Sequence, residues 1–458
     1  MKFIGILIYT TLFIYAGILN AENIETTDNE NYVIIISIDG FPADALWDEH
    51  VPIPTIRELA ENGSWSTAMI PSTPTVTWPN HQSLVTGVHP GKHGVLTNGI
   101  FVRPGPGEPI WRDNDVDRDQ LSDYPTLYDV AYHAGLRTAE VNWPVTRNTN
   151  TFHDTFPDAV DPVTHTNPQL RSEMVQLGLL ADETESAFQV GSVSRDFVRT
   201  KVATHLIRSR TPNLLLFHLL NVDSSHHQHG KQSNPGNTAL AYADANVRMI
   251  VDALAETGVL DHTTIFIVSD HGFMNVTHRI QPNVLLKQHG LLQTDGNGTI
   301  ESGRVQVLSN GGTAMVFAAN PETREEDIEK ARSLFEEMEG IDRILDPSQY
   351  AEFGLPDPDD NQNMGDLVLN AADGYSFTNG AGGDQVIVEL DRTAGTHGYL
   401  NDIEKMKTVF VASGRGIQSG VELELVDNRS VAPTAAWLLN LELDQADGEI
   451  LQSILYPE

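Results

Sequence analysis

The stretch YVIIISIDG, residues 32–40, decides the fold of this chain. Tyr32 to Ile38 is a continuous run of mostly β-branched residues, which is typical of a strand buried on both faces in a parallel sheet. Similar runs occur at 213–220 and 263–269, and segments with helical periodicity lie between them. Strands that alternate with helices predict an α/β fold with a doubly wound, mostly parallel sheet, helices on both of its faces and a smaller inserted lobe.

The chain of 458 residues divides into five predicted segments. A lysine followed by an apolar run and small residues predicts a signal peptide that is removed, and a retained membrane anchor is the alternative that this run leaves open. The less regular rhythm after residue 272 predicts an insertion into the α/β core. The segments are the signal peptide, 1–21; an acidic leader, 22–31; the first part of the core, 32–272; the inserted second lobe, 273–395; and the return of the core, 396–458.

Composition restricts the chemistry that is available to the chain. There is no cysteine, which excludes disulfides, thiolate metal sites and a cysteine nucleophile. The formal net charge is −35, and a field of that sign repels nucleic-acid polymers and anionic membranes. A site that binds phosphate must create positive charge locally, and bound metal ions are the obvious source.

The segment Pro74–His81 is the first candidate site. It predicts a loop that enters a helix, with Pro79 at the first helical position and Thr77 at or just before the N-cap. Free backbone N–H groups and the helix dipole favour an anion there, so a threonine hydroxyl at this place could attack a phosphoryl group. An isolated threonine would be an ordinary N-cap, and the hypothesis therefore needs a metal cluster elsewhere in the chain.

Asp and His residues follow several of the predicted strands. Carboxyl ends of parallel strands meet at one edge of a sheet, where open α/β sheets place their sites. Singly, an Asp-Gly or Asp-His-Gly sequence is also compatible with a simple turn. Together they predict a metal site, and nitrogen and oxygen ligands without sulfur fit zinc, manganese or iron better than calcium. The candidate ligands after predicted strands are Asp39, Asp223, His227, Asp270 and His271, and His397, which follows no predicted strand, is the sixth candidate.

In this order, these residues resemble the nucleotide pyrophosphatase/phosphodiesterase family of the alkaline phosphatase superfamily. The resemblance runs from about Tyr32 to Leu441 and includes the Thr-Trp-Pro-Asn-His segment at 77–81, Asn98 and all six candidate ligands. It implies an alkaline-phosphatase-like core in an exported enzyme, periplasmic or extracellular. The expected reaction is cleavage of phosphodiester or phosphoanhydride bonds in small molecules such as nucleotides, without stable membrane insertion once the signal peptide is removed.

The resemblance also implies a role for each residue. One zinc ion would be held by Asp223, His227 and His397, and a second by Asp39, Asp270, His271 and the Thr77 oxygen. Thr77 would be the nucleophile and would form a phospho-threonine intermediate, while Asn98 would donate its amide to a phosphoryl oxygen. The family has glycine where this chain has His226, so either His226 or His227 could be the ligand, and His227 is preferred.

Substrate contacts are expected from Trp78, Asn98 and His218. Trp78 and His218 occupy the positions at which relatives sandwich a base. No Lys-x-Arg pair occurs between residues 98 and 223, although threonine-dependent phosphatases use such cations for dianionic monoesters. Its absence favours diesters. The alternatives are a phosphomonoesterase or phosphonate hydrolase, and, outside enzymes, a metal-bound binding module that has lost catalysis.

Overall fold

The structure is a computed structural model that describes residues 30–180 and 191–457. The predicted signal peptide, 1–21, and the leader as far as residue 29 lie outside the described residues. Within the described ranges, no helix combines the length and the apolar character that a membrane crossing requires.

Nineteen strands build the sheets of the described chain. They are β1 Tyr32–Ile38, β2 Ser64–Ile70, β3 Ile100–Val102, β4 Trp111–Asp113, β5 Thr138–Val141, β6 Asp154–Phe156, β7 Leu214–Leu219, β8 Thr263–Val268, β9 Met274–Ile280, β10 Leu292–Thr294, β11 Ile300–Gly303, β12 Val305–Ser309, β13 Thr313–Ala318, β14 Ile341–Leu345, β15 Leu367–Ala371, β16 Tyr375–Phe377, β17 Ile387–Thr396, β18 Phe410–Gly414 and β19 Val421–Asp427.

Thirteen α-helices accompany these strands in the described ranges. They are α1 Pro54–Glu61, α2 Thr77–Thr86, α3 Pro90–His93, α4 Arg118–Leu121, α5 Leu127–His133, α6 Pro168–Gln176, α7 Ser192–Arg210, α8 Asn221–His229, α9 Asn234–Glu256, α10 Pro282–Gln288, α11 Arg324–Glu336, α12 Pro347–Tyr350 and α13 Val431–Leu438.

The main sheet has eight strands in the order β19-β2-β18-β8-β1-β7-β5-β6. All of them point the same way except β18, which is antiparallel to both of its neighbours. Alternate side chains of β1 enter two separate cores, because successive residues of a strand point to opposite faces. Ile34 and Ile36 pack with α1, α7 and α9 on one face, and Val33 and Ile35 pack with α2, α5 and α13 on the other. The predicted doubly wound, mostly parallel sheet is confirmed.

Smaller sheets are built by the chain between residues 274 and 396. A four-stranded sheet has the order β12-β13-β15-β14, a three-stranded sheet has the order β16-β9-β17, and β10 pairs with β11. Strand β17 ends at Thr396 and leads back toward the main sheet. The exact limits of the inserted lobe, predicted at 273–395, stay a prediction.

One long helix begins earlier than its periodicity predicts. The apolar spacing of the sequence predicts an amphipathic helix from Asn246 to Thr257, whereas α9 begins at Asn234. Ser233 caps it by accepting a hydrogen bond from the Gly236 N–H, and Pro235 lies in its first turn, where a missing N–H costs nothing. Local capping thus extends the helix beyond its strongly amphipathic part.

Candidate active site

The candidate ligands lie at the carboxyl edge of the three central strands. Asp39 directly follows β1, Asp270 and His271 lie just beyond β8, and β7 leads into the helix α8. Adjacent pairing of β8, β1 and β7 brings these segments together, as expected for an open α/β sheet.

Helix α8 carries Asp223 and His227 on one face, four residues apart. The His227 Nε2 lies 3.2 Å from the Asp223 Oδ1. The sequence does not predict this helix, because serine, asparagine and histidine are weak helix formers. Its start is held by Asp196 of α7, which no sequence motif singles out. The Asp196 carboxylate accepts the Leu220 N–H at 3.1 Å and the Asn221 N–H at 2.7 Å.

A first group of possible ligands consists of Asp39, Asp270 and His271, all fully buried. The His271 Nε2 lies 3.2 Å from the Asp39 Oδ1 and 3.2 Å from the Asp270 Oδ2. The Thr77 Oγ1 lies 3.5 Å from the same nitrogen. The structure therefore places the predicted nucleophile against the predicted ligand group.

A second group consists of Asp223, His271 and His397. The rings of His271 and His397 stack at 3.5 Å with an interplanar angle of 4°, and the His397 Nε2 lies 3.7 Å from the Asp223 Oδ1. His227 lies beside this group, and its Nε2 faces the same Asp223 oxygen as the His397 Nε2 does. Because His271 belongs to both groups, the two possible ion positions adjoin.

The three imidazoles are oriented by the backbone. The Nδ1 atoms of His271, His227 and His397 lie 3.2, 3.0 and 2.9 Å from the carbonyl oxygens of Gly272, Gly395 and Thr75. A carbonyl only accepts hydrogen bonds, so in the neutral rings each Nδ1 carries the proton and each Nε2 faces the carboxylates with its lone pair. This is the arrangement that metal-binding histidines adopt.

Three buried carboxylate oxygens face these nitrogens without a hydrogen bond among the described residues: Asp39 Oδ1, Asp223 Oδ1 and Asp270 Oδ2. Buried polar atoms are normally satisfied, and an anionic oxygen left alone is costly. A divalent cation in each of the two groups would satisfy these oxygens, so the residues fit a metal site.

Crowded charges shift the pKa values of the first group. Burial opposes ionisation of Asp39, but the imidazoles of His218 and His271, 3.1 and 3.2 Å from its oxygens, hold its pKa well below the usual range. Burial and the Asp39 charge raise the pKa of Asp270 to about 7. Burial disfavours the charged form of His271, yet the charges of Asp270 and Asp39 raise its pKa to about 9. Without a bound cation, Asp270 is therefore mostly protonated below about pH 7.

Thr77 is the first residue of α2, and Val76 is the N-cap. The predicted positions were wrong by a short distance, since Thr77 lies one residue beyond the cap and Pro79 is the third helical residue. Proline is tolerated there because the N–H groups of the first turn have no intrahelical acceptor. The Trp78 N–H donates to the Asn98 Oδ1 at 2.9 Å, which orients the Asn98 side chain beside the nucleophile.

His218 has a different environment from the expected one. It is 1% exposed on β7, its Nε2 lies 3.1 Å from the Asp39 Oδ2, and Asn142 contacts its other nitrogen at 3.0 Å. A ring buried in this way orients Asp39, which corrects the prediction that it contacts a substrate base. His226 is also buried, with its Nδ1 3.2 Å from the Gly40 oxygen, so His227 is the one that faces Asp223.

Sequence comparison places the chain among known proteins. The family model of type I phosphodiesterase / nucleotide pyrophosphatase matches residues 33–400. Ectonucleotide pyrophosphatase/phosphodiesterase 1 of Saccharomyces cerevisiae is 23% identical, over 83% of this chain and 52% of its own length. Family member 1 of Homo sapiens is 22% identical, over 89% of this chain and 40% of its own length. The chain thus spans about half the length of these curated relatives, whereas it spans 88% of family member 7 of Rattus norvegicus at 22% identity.

Solved structures share the fold. Murine ectonucleotide pyrophosphatase/phosphodiesterase 5 matches with a TM-score of 0.70 at 17% identity, covering 93% of this chain and 100% of that chain. An inactive threonine-to-alanine variant of that murine protein, in complex with AMP, matches with the same TM-score. Because the family model spans most of the chain, the chain belongs to the type I phosphodiesterase / nucleotide pyrophosphatase family.

Proposed function

We propose that this chain is a metal-dependent hydrolase that cleaves phosphodiester or phosphoanhydride bonds with Thr77 as the nucleophile. Family membership supports the reaction class. The observation that carries the proposal is a convergence at one place of oriented imidazole nitrogens and three buried carboxylate oxygens that have no hydrogen bond among the described residues. The Thr77 hydroxyl lies beside them.

Two divalent cations, zinc by the donor set, would be held by these residues. Asp39, Asp270, His271 and the Thr77 oxygen would hold one, and Asp223, His227 and His397 the other. Aspartate oxygens and neutral imidazoles without sulfur suit zinc. When bound, the cations would lower the pKa of the Thr77 hydroxyl and stabilise negative charge on the phosphoryl oxygens.

The protein's own residues would direct the displacement. The Thr77 oxygen would form a bond to phosphorus while its proton passes to solvent water. The bond from phosphorus to the leaving oxygen would break with its electron pair on that oxygen, and water would then hydrolyse the phospho-threonine. The Asn98 amide nitrogen has no hydrogen-bond partner in the part of the chain that the structure describes, and we assign it to a non-bridging phosphoryl oxygen.

The substrate class we propose is a small diester or nucleotide, not a phosphomonoester. AMP in the complex of the murine structure supports a nucleotide-sized ligand. The site lacks a Lys-x-Arg pair that would stabilise a dianion. Export of the enzyme to the periplasm or the cell exterior is part of the same proposal, since the relatives are named as ectoenzymes.

Substitution of Thr77 tests the function. We expect Thr77→Ala to abolish hydrolysis of bis-p-nitrophenyl phosphate, while Thr77→Ser keeps measurable turnover because it keeps the hydroxyl. Circular dichroism and the metal content of each variant check that fold and ions survive, and Thr238→Ala, at an exposed threonine of α9, is the control. Near-wild-type turnover of a metal-loaded Thr77→Ala protein would exclude Thr77 as the nucleophile.

A further inference from the structure

A buried imidazole on α2 has no place in the reaction described above. His81 is fully buried, and its Nδ1 lies 2.9 Å from the carbonyl oxygen of Thr77, one helical turn earlier. Because a carbonyl only accepts hydrogen bonds, the Nδ1 carries a proton and donates it to this bond. Within residues 30–180 and 191–457, the His81 side chain has no other hydrogen bond, and its Nε2 has no partner.

The surroundings of His81 do not explain why a polar ring lies there. The rings of Trp143 and His218 lie edge-to-face with it, with centroids 4.9 and 4.4 Å away. The Asp270 Oδ2 is 3.7 Å from its Nδ1, beyond hydrogen-bond distance, and burial holds the pKa of His81 well below its usual range, so the ring is neutral. An apolar side chain would pack here without leaving a buried nitrogen unpaired, which costs stability. The bond to Thr77 therefore sets the imidazole apart from a packing residue.

This hydrogen bond fixes one end of a peptide unit whose other end contacts Asn98. The carbonyl of Thr77 and the N–H of Trp78 belong to the same planar peptide unit, so they cannot rotate independently. That N–H donates to the Asn98 Oδ1 at 2.9 Å. Rotation of this peptide unit would therefore move the Asn98 amide relative to the Thr77 hydroxyl.

We infer that His81 is a positioning residue: by holding the peptide unit between Thr77 and Trp78, it aligns the Asn98 amide with the nucleophile. This inference rests on the proposed function and adds a residue to that same site. His81 contacts none of the reacting atoms, so it contributes through geometry alone, and a small misplacement of catalytic groups costs a large factor in rate. The contribution should appear in kcat more than in KM, because the Asn98 contact is proposed to act in the transition state.

Two amide variants separate the hydrogen bond from the ring itself. Asparagine places its amide nitrogen near the position of the imidazole Nδ1, whereas glutamine places its amide nitrogen near that of the Nε2. With bis-p-nitrophenyl phosphate and a full zinc load, we expect His81→Asn to keep kcat within about fivefold of wild type and His81→Gln to lose about a hundredfold, with little change in KM. Circular dichroism and zinc content are recorded for each variant.

His93→Gln is the matched control for the loss of a buried imidazole. His93 is also buried, and its Nε2 lies 3.0 Å from the Oγ of Ser83 on the same helix α2. It does not contact the peptide unit after Thr77, so we expect its variant to keep the wild-type kcat.

A double-mutant cycle tests the route through Asn98. In an Asn98→Ala background no amide is left to align, so we expect His81→Gln to lower kcat by less than about threefold there.

Equal kcat for zinc-loaded His81→Asn and His81→Gln, or a loss from His81→Gln that is as large without the Asn98 amide, would overturn the inference while the proposed diesterase function stands. Absence of hydrolysis by metal-loaded wild-type protein, or undiminished turnover by Thr77→Ala, would refute the proposed function, and the inference with it.

Discussion

Glu140 is a buried carboxyl group next to residues that support the site, and its pKa can be tested by measuring stability against pH. It is fully buried on β5, and its carboxyl accepts hydrogen bonds from the Trp143 N–H at 3.1 Å and from the Thr155 hydroxyl. The turn that it holds contains Asn142, which contacts His218, the residue that bonds to Asp39. A glutamine at this position keeps an oxygen for the Trp143 N–H but cannot ionise.

The expected magnitude follows from the pKa of Glu140, which burial raises from 4.5 to about 8. Below pH 4.5 the carboxyl is protonated in both the folded and the unfolded chain, so its full contribution to stability is present. As the pH rises toward 8, the unfolded chain releases the proton and the folded chain retains it, so the free energy of unfolding falls by about 1.4 kcal/mol per pH unit. Over the whole window the loss is about 5 kcal/mol.

The assay is urea unfolding of wild type and Glu140→Gln from pH 4.5 to 8.5 with excess chelator, so that other titrations cancel in the difference. We expect Glu140→Gln to gain stability relative to wild type as the pH rises through this window. Glu322→Gln, at an exposed glutamate, should run parallel to wild type. Parallel curves for wild type and Glu140→Gln would refute the raised pKa and the sign derived from it.

Two further predictions concern the site. In one zinc-loaded sample, kcat/KM for a p-nitrophenyl diester should be on the order of a hundredfold higher than for the matching monoester, because one phosphoryl oxygen of the dianionic monoester lacks a stabilising contact worth about 3 kcal/mol. Equal turnover of the monoester would favour a phosphatase. In a competition with a chelator, His218→Ala should bind zinc about tenfold to a hundredfold more weakly than wild type, because Asp39 loses the group that orients it. The control variant His289→Ala, at an exposed histidine, should bind zinc as wild type does.

The sheet was predictable because its strands are apolar on both faces. The segment 32–38 was predicted with its observed limits, and 263–269 and 213–220 differ from β8 and β7 by only one or two residues at the ends. A strand with apolar residues on both faces is stable only in a sheet that helices cover on both sides. The same parallel topology predicted that Asp39, Asp270 and the segment after β7 meet at one edge of the sheet.

What the sequence could not predict depends on tertiary contacts. Helix α8 has weak helix formers, and its start is held by Asp196, a residue 25 positions before Asn221. His218 lies within an ordinary strand sequence that does not set it apart. Its role follows only from the pairing of β7 with β1, which brings its ring to Asp39. His397 reaches the site from the end of β17 in a separate small sheet, so the topology of the main sheet did not predict its position.

Metal titration with turnover measured in the same sample tests the central claim most directly. Protein stripped by a chelator is titrated with zinc, and bound metal and hydrolysis of bis-p-nitrophenyl phosphate are recorded at each step. We predict no turnover without metal and a maximum at two bound ions per chain, one for each of the two adjoining ligand groups. Full diester turnover by protein that holds less than one transition-metal ion per chain would contradict the account.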